Sequence, residues 1–203
     1  MYNQISTVFF DIGNVLINIY PERAIQYFSD CTGIKYEEIE KMFPIDSHNE
    51  YEKGNLSNKE WYLAVKESIS QYCSIEETDF WEGWKLLIGR EKSCVKVLKR
   101  LKNNYSVWLL SNTNPYHIQN IINDRFEFPN LVDGKIYSFE VGLRKPDSEI
   151  YKIAFSRSQN VPERCIFIDD QLENVIAAEN VGFIGIHYRC LSQLQNDLNK
   201  LGV

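Results

Sequence analysis

Acidic and basic residues stand at or shortly after the ends of several apolar segments of the chain. Asp11 follows the apolar run Thr7–Phe10 in VFFDIGNVLI, Lys145 lies in GLRKPD, and Asp169 and Asp170 follow CIFI. A carboxylate can act as a nucleophile, a fixed lysine can neutralise negative charge, and paired carboxylates suit a hard divalent cation. These residue types predict a catalytic site if the fold brings them together.

Three polar residues near other apolar segments accompany these charged residues. Ser111 and Asn112 end LLSN, and Asn174 lies in FIDDQLEN. Each residue also has a structural explanation when it is taken alone: Asp11 or the aspartate pair could begin a turn, Ser111 could cap a helix, and Lys145 could be a solvated charge. The complementary chemistry of the whole set favours a shared site.

The order of the predicted elements places these residues at one edge of a sheet. About ninety residues after the first strand carry helical periodicity, with a capping box at Ser57 and Glu60, and a helix follows from about Glu91 to Lys102. Strands and helices then alternate: the strands are YSVWLLSN, KIYSFEV, CIFID and FIGIHY. This order predicts an α/β fold with a Rossmann-like, doubly wound parallel sheet and a small helical cap inserted after the first strand. We assign residues 1–15 and 88–203 to the core domain and residues 16–87 to the cap.

Composition narrows the class of partner. The chain has 203 residues, a formal charge of −6 and a pI near 5.2, and this negative charge argues against a nucleic acid or an anionic membrane as partner. No signal-peptide pattern and no apolar run of about 20 residues is present. Five scattered cysteines without a Cys-x-x-Cys pair predict reduced thiols. We therefore expect a cytoplasmic monomer or weak homodimer that acts on a small molecule.

The four motifs FFDIGNVLI, LLSNTN, GLRKPD and FIDDQLEN, in this order, resemble those of the haloacid dehalogenase-like hydrolase superfamily, phosphatase branch. Within it they are most similar to bacterial phosphatases of sugar phosphates such as α-glucose 1-phosphate. The resemblance implies a Mg²⁺-dependent phosphatase in which Asp11 attacks phosphorus and forms an aspartyl-phosphate. It also implies that Ser111 and Lys145 bind the transferring phosphoryl group.

Further site roles also come from this resemblance. It implies that Asp11, Asp170 and the backbone carbonyl of Gly13 hold the Mg²⁺. Asp169 and Asn174 would support the metal site from behind. For substrate binding we add Asn112 and Asn14 to Ser111 and Lys145, with a phosphate ester as the substrate.

Gly13 departs from the family pattern. Phosphatases of this family usually carry a second aspartate there, which protonates the leaving alcohol, and glycine cannot do so. The loss matters least when the leaving group is already good, as in an anomeric, acyl or enol phosphate. Asn14 or a side chain of the cap could instead position a water.

Two other functions stay open at the level of sequence. A haloacid dehalogenase shares the aspartate nucleophile and needs no proton donor, although the pair Asp169–Asp170 would repel a carboxylate substrate. A catalytically weakened protein that binds a phosphorylated metabolite is the other alternative. The three histidines are too scattered for a metal triad, and we expect ordinary roles for His117 and His187; His48 lies in the cap, where substrates bind in this family. Trp81 and Trp84 are expected to pack rather than to bind sugar.

Overall fold

A parallel sheet forms the centre of the molecule in a computed structural model that describes residues 4–70 and 72–203. Within these residues, five strands pair in the order β5-β4-β1-β6-β7, and every pairing is parallel. Their bounds are Thr7–Phe10 (β1), Ser106–Ser111 (β4), Gly134–Tyr137 (β5), Cys165–Asp169 (β6) and Ile184–His187 (β7). The predicted α/β fold with a Rossmann-like parallel sheet is confirmed.

Strand β1 lies in the middle of this sheet because its residues are apolar on both faces. Val8 and Phe10 pack into the larger of two hydrophobic clusters, and Phe9 packs into the other, so both sheet faces are covered. A strand between two layers of helices loses contact with water on both sides, which favours a continuous apolar run. Asp11 is the first polar side chain after that run.

Helices flank the sheet and form the cap. Between β1 and β4 the helices are Pro21–Thr32 (α1), Tyr36–Met42 (α2), Ile45–Glu52 (α3), Asn58–Ser68 (α4), Glu77–Lys85 (α5) and Cys94–Leu101 (α6). After β4 they are Pro115–His117 (α7), Asn123–Arg125 (α8), Ser138–Val141 (α9), Ser148–Arg157 (α10), Leu172–Asn180 (α11) and Leu191–Lys200 (α12). A π-helical segment, Ile118–Ile122, joins α7 to α8. In the described part of the chain, no helix is both long enough and apolar enough to cross a membrane.

Local signals account for several helix ends. Ser57 accepts a hydrogen bond from the backbone of Glu60, and the Glu60 side chain accepts one from the Ser57 backbone, so the predicted capping box is confirmed. Gly33 ends α1 in the left-handed conformation that glycine adopts without strain.

A short antiparallel ribbon connects the cap to the core, and the sequence analysis missed it. Strands Ile17–Ile19 (β2) and Ile88–Glu91 (β3) pair where the chain leaves the core and where it returns. Both crossings are thereby fixed side by side. The division at residues 16–87 stays a prediction.

Two segments differ from the predicted elements. The strand predicted over KIYSFEV ends at Tyr137, and Ser138–Val141 form α9, because the Ser138 hydroxyl bonds to the backbone of Thr113 and Gly142 ends the turn at φ 72°. Helix α3 was not predicted, since DSHNEYE carries little helical periodicity. Of these two segments, α3 lines the cavity described next, through Ile45, His48 and Glu52.

Candidate active site

The carboxyl ends of β1, β4 and β6 bring the predicted residues together. Ser111 is the last residue of β4 and Asp169 the last of β6, while Asp11 follows β1 and its backbone N–H still donates to the Ile168 carbonyl at 2.9 Å. Parallel strands present these ends at one edge of the sheet, where α/β proteins bind ligands. Asp11, Ser111 and Asp169 are buried at this edge.

Lys145 reaches this edge from the loop after α9 and forms two buried ion pairs. Its Nζ lies 2.7 Å from Asp11 Oδ1 and 2.6 Å from Asp169 Oδ2, and it donates to the Leu110 carbonyl at 3.0 Å. The ammonium has three protons, and these three acceptors match them. Lys145 is therefore a fixed cation between two carboxylates.

Burial and the charge of the ion-pair partner have opposite effects on the pKa values of Asp11 and Lys145. Burial raises the pKa of Asp11 to about 7; the Lys145 ammonium opposes this rise and the neighbouring Asp169 adds to it. Burial alone would lower the pKa of Lys145, but the two carboxylates outweigh it and the pKa lies above its ordinary value. A second cation beside Asp11 would favour its ionised, nucleophilic form.

The Asn112 side chain holds the Lys145 backbone in place. Its amide oxygen accepts from the Lys145 N–H at 2.8 Å, and its amide nitrogen donates to the Lys145 carbonyl at 2.9 Å. Both ends of the amide are thus bonded to the Lys145 backbone, and Asn112 also lines the catalytic cavity. A contact of Asn112 with substrate stays a prediction, and the structure shows a positioning contact that the sequence did not indicate.

Asp169 is held from behind by other groups. The Asn174 side chain donates to both of its carboxylate oxygens at 3.2 Å, and the Gln171 backbone N–H donates to Oδ1 at 2.8 Å. Together with Lys145 these donors occupy Asp169 on both oxygens. Asn174 therefore contacts Asp169 directly, and its support of a metal site stays a prediction.

A group of carboxylates offers oxygen ligands of the kind that a hard divalent cation prefers. One oxygen from each of Asp11, Asp169 and Asp170 lies within 4.8 Å of the others. Since Asp169 already accepts from Lys145, Asn174 and Gln171, the oxygens with capacity to spare belong to Asp11 and Asp170. Partial burial and the charge of Asp169 raise the pKa of Asp170.

The turn after Asp11 is formed by Gly13 and Asn14. Gly13 is outside the left-handed region, and a Cβ built on it would meet the Ile19 side chain at 3.3 Å and Asp11 Oδ2 at 3.7 Å. Asn14 has φ 52°, its Oδ1 accepts from the Ile19 N–H at 3.1 Å, and its carbonyl accepts from Lys92 Nζ. Asn14 thus supports the turn, and its contact with substrate stays a prediction.

A cavity of about 420 Å³ opens above these groups, and cap residues line its far side. Among them, Glu52 is buried, and its Oε2 lies 2.7 Å from Nε of Arg144, the residue before Lys145. His48 Nε2 lies 3.9 Å from the other Glu52 oxygen, and burial lowers the pKa of His48. Sequence reasoning missed Glu52 and Arg144, because residues 92 positions apart give no local signal of an ion pair.

His117 also lines the cavity but is committed to structure. Its Nδ1 lies 3.0 Å from the Asn114 amide nitrogen and its Nε2 lies 3.1 Å from the Trp84 carbonyl. A carbonyl only accepts, so Nε2 carries the proton and Nδ1 accepts from Asn114. Burial lowers the pKa of His117 to about 4, so the ring is neutral at physiological pH. Both nitrogens are engaged, which excludes His117 as the missing proton donor in this arrangement.

The family is established by comparison with known proteins. The chain matches the haloacid dehalogenase-like hydrolase family over residues 5–182 and belongs to it. A D-ribitol-5-phosphate phosphatase of Bacteroides thetaiotaomicron is 28% identical over 187 residues, covering 88% of this chain and 89% of that protein. A sesquiterpene phosphatase of Aspergillus oryzae is 26% identical and covers 88% of this chain and 87% of that protein.

A solved structure shares both the fold and the arrangement of the chain. It is a family enzyme of Bacteroides thetaiotaomicron in complex with magnesium and inorganic phosphate, with a TM-score of 0.79 and 26% identity. The alignment covers 91% of this chain and 94% of that one. The similarity therefore includes the cap as well as the sheet.

Proposed function

We propose that this protein is a Mg²⁺-dependent phosphatase of small phosphate monoesters and that it works through an aspartyl-phosphate on Asp11. The observation that carries this proposal is the buried ion pair of Lys145 with Asp11, at the edge where Ser111 and Asp170 also lie. Phosphoryl transfer requires a nucleophile in line with the leaving group and preorganised positive charge around the phosphate oxygens. The phosphatases among the relatives agree with it.

We assign the roles from the family resemblance, and the geometry of the carboxyl edge supports them. Asp11 forms the bond to phosphorus, Lys145 keeps Asp11 ionised, and the Ser111 hydroxyl donates to the phosphoryl group. Asp11, Asp170 and the Gly13 carbonyl would hold Mg²⁺, which when bound neutralises charge on the phosphate. Asp169 holds the Lys145 ammonium, Asn174 holds Asp169, and Asn112 fixes the Lys145 loop.

The metal assignment predicts the behaviour of one variant. Asp170→Asn should raise the Mg²⁺ concentration for half-maximal activity by at least about tenfold, because a neutral amide oxygen replaces a charged ligand. Activity titrated with MgCl₂ after EDTA treatment measures this. Glu173→Gln, which removes an exposed charge from the same cavity wall, is the control and should leave the titration unchanged. An unchanged titration for Asp170→Asn would contradict the assignment of Asp170 as a metal ligand.

The finer substrate assignment rests on Gly13. Without an aspartate at this position, more negative charge builds up on the departing oxygen, so substrates with acidic leaving groups are favoured. A sugar 1-phosphate such as a hexose 1-phosphate meets this requirement better than the corresponding 6-phosphate. One relative is named for ribitol 5-phosphate and the other for a sesquiterpene, and these leaving groups differ from each other. The two relatives therefore support the phosphatase reaction and not a particular substrate.

Gly13→Asp should reduce the dependence of the rate on leaving-group acidity. The backbone at Gly13 accepts an L-residue once the Ile19 side chain shifts slightly, and the new carboxyl would lie beside Asp11 Oδ2. We expect poor leaving groups to gain more than good ones across a series of aryl and alkyl phosphates. Gly13→Asn is the matched control, because an amide of the same size donates no proton to an alkoxide. Equal wild-type rates on primary alkyl and anomeric phosphates, with chemistry rate-limiting, would contradict the assignment.

One assay separates this proposal from the two alternatives. p-Nitrophenyl phosphate should be hydrolysed with Mg²⁺ present and not with EDTA, and chloroacetate should release no chloride. Chloride release without metal would indicate a dehalogenase. Binding of phosphate esters without turnover would indicate a weakened binding protein.

A further inference from the structure

A second cavity, of about 310 Å³, lies among the cap helices. Side chains of the cap helices α1 to α5 line its walls, including Phe28, Ile39, Val65 and Phe80. Its size is within the range of about 300–1,000 Å³ that is typical of small-molecule sites. The mechanism proposed above does not use it.

This cap cavity adjoins the catalytic cavity. Both are lined by the same residues at their boundary, which are Pro21, Ile45, His48, Trp84 and Leu87. Asp11 and Lys145 lie on the core side of a phosphate bound at the sheet edge. Because the leaving group departs in line with the attacking Asp11, it must point toward the cap. A long leaving group would therefore extend toward this boundary.

The walls of the cap cavity suit hydrocarbon and not sugar. Among the residues that the structure describes, the polar side chains on its walls are those of Glu40, which is exposed, of Ser68, and of His48 at the boundary. A hydroxyl group that entered would lose its hydrogen bonds to water and find few replacements. Each buried methylene would instead strengthen binding about three- to fourfold.

We propose that the enzyme also hydrolyses phosphate monoesters of apolar alcohols or phenols, whose hydrocarbon part occupies the cap cavity. This inference rests on the proposed phosphatase function. Asp11 forms a bond to phosphorus as the bond from phosphorus to the ester oxygen breaks, and the departing oxygen takes a proton from water. A second water then cleaves the aspartyl-phosphate, which restores Asp11 and releases inorganic phosphate. Phenols are also the better leaving groups that Gly13 calls for.

A homologous series of esters tests the inference. In 4-methyl-, 4-propyl- and 4-hexylphenyl phosphate the acidity of the leaving phenol is nearly constant while the apolar length grows. We expect kcat/KM to rise by several hundredfold from methyl to hexyl, because five added methylenes leave water and each contributes about three- to fourfold. The values of kcat/KM for glucose 1-phosphate and ribitol 5-phosphate, measured in the same assay, show how polar substrates compare with the apolar series.

A pair of cap variants assigns the effect to this cavity. Met42 is half-buried and lines the cap cavity but not the catalytic one, so Met42→Gln should lower kcat/KM for the hexyl ester about tenfold and leave the methyl ester unchanged. Leu56 is a half-buried cap residue outside both cavities, so Leu56→Gln should keep the wild-type slope. Should Met42→Gln fail to fold, wild-type inhibition constants for hexylphosphonate and ethylphosphonate replace it, and hexylphosphonate should bind more tightly.

The outcomes distinguish this inference from the phosphatase proposal. A flat series, or equal inhibition by the two phosphonates, overturns the apolar site while hydrolysis of the methyl ester still supports the phosphatase. A slope that Met42→Gln and Leu56→Gln lower equally also overturns it. No hydrolysis of any ester, including p-nitrophenyl phosphate, contradicts the proposed function itself.

Discussion

Asp11→Asn should lower kcat by more than about 10⁴-fold and leave the fold intact. An amide cannot form the acyl-phosphate bond, and the loss of a nucleophile removes the step on which the whole reaction depends. The fold should survive because the substitution keeps the side-chain volume and removes a carboxyl group whose pKa is already raised by burial. Lys145 also retains its ion pair with Asp169 at 2.6 Å. Steady-state kinetics and thermal unfolding measure the two effects.

The matched control for Asp11→Asn is Asp197→Asn in α12. Asp197 bonds to Lys200 and Gln193 far along the chain from the site, so this variant should retain the activity of the wild-type enzyme. Residual activity of a few per cent in Asp11→Asn, with an unchanged KM, would refute the nucleophile assignment.

Lys145→Met should lower kcat about 10³-fold and also destabilise the protein. The activity falls because the cation that keeps Asp11 ionised and faces the phosphate is lost. Stability falls by about 3–5 kcal/mol, because Asp11 and Asp169 are left as buried carboxylates without their ammonium partner. Urea unfolding in EDTA measures the free energy of unfolding.

The pH dependence gives this second prediction its sign. Since burial raises the pKa of Asp11, the carboxyl takes up a proton more readily in the folded protein, and protonation removes the unpaired charge. The stability difference between Lys145→Met and wild type should therefore shrink from pH 7.5 to pH 5. Lys152→Met, which removes an exposed lysine paired with Glu149, should change neither activity nor stability by a comparable amount. A Lys145→Met variant with wild-type kcat would contradict the role of this lysine.

Sequence alone predicted the sheet because its signals are local. The run Thr7–Phe10 is apolar on both faces, and such a strand belongs in the middle of a parallel sheet, where β1 lies. The residues at or just after the strand ends, Asp11, Ser111 and Asp169, were therefore expected to meet at one edge. Lys145 and Asp170 were also predicted at this edge from the motifs GLRKPD and FIDDQLEN, and the family resemblance added their roles.

Other features depend on contacts between distant residues, and the sequence carried no signal for them. The β2–β3 ribbon joins short segments about seventy residues apart, and each was too short to stand out. The Arg144–Glu52 ion pair and the engagement of Asn112 with the Lys145 backbone depend on how the cap and the loop meet. The cap cavity forms only when the cap helices pack together. Phe28 and Phe80 line it from two different helices, and nothing in the sequence indicates that they share one cavity.

The central claim is that Asp11 becomes phosphorylated, and trapping the intermediate tests it most directly. Borohydride added during turnover of p-nitrophenyl phosphate reduces an acyl phosphate to an alcohol and so converts a phosphorylated aspartate to homoserine. Peptide mass spectrometry should then find homoserine at position 11 in the wild-type enzyme with Mg²⁺, and an unmodified residue 11 in EDTA. Homoserine at another aspartate, or unmodified Asp11 during rapid turnover under conditions that reduce a known acyl phosphate, would contradict the account.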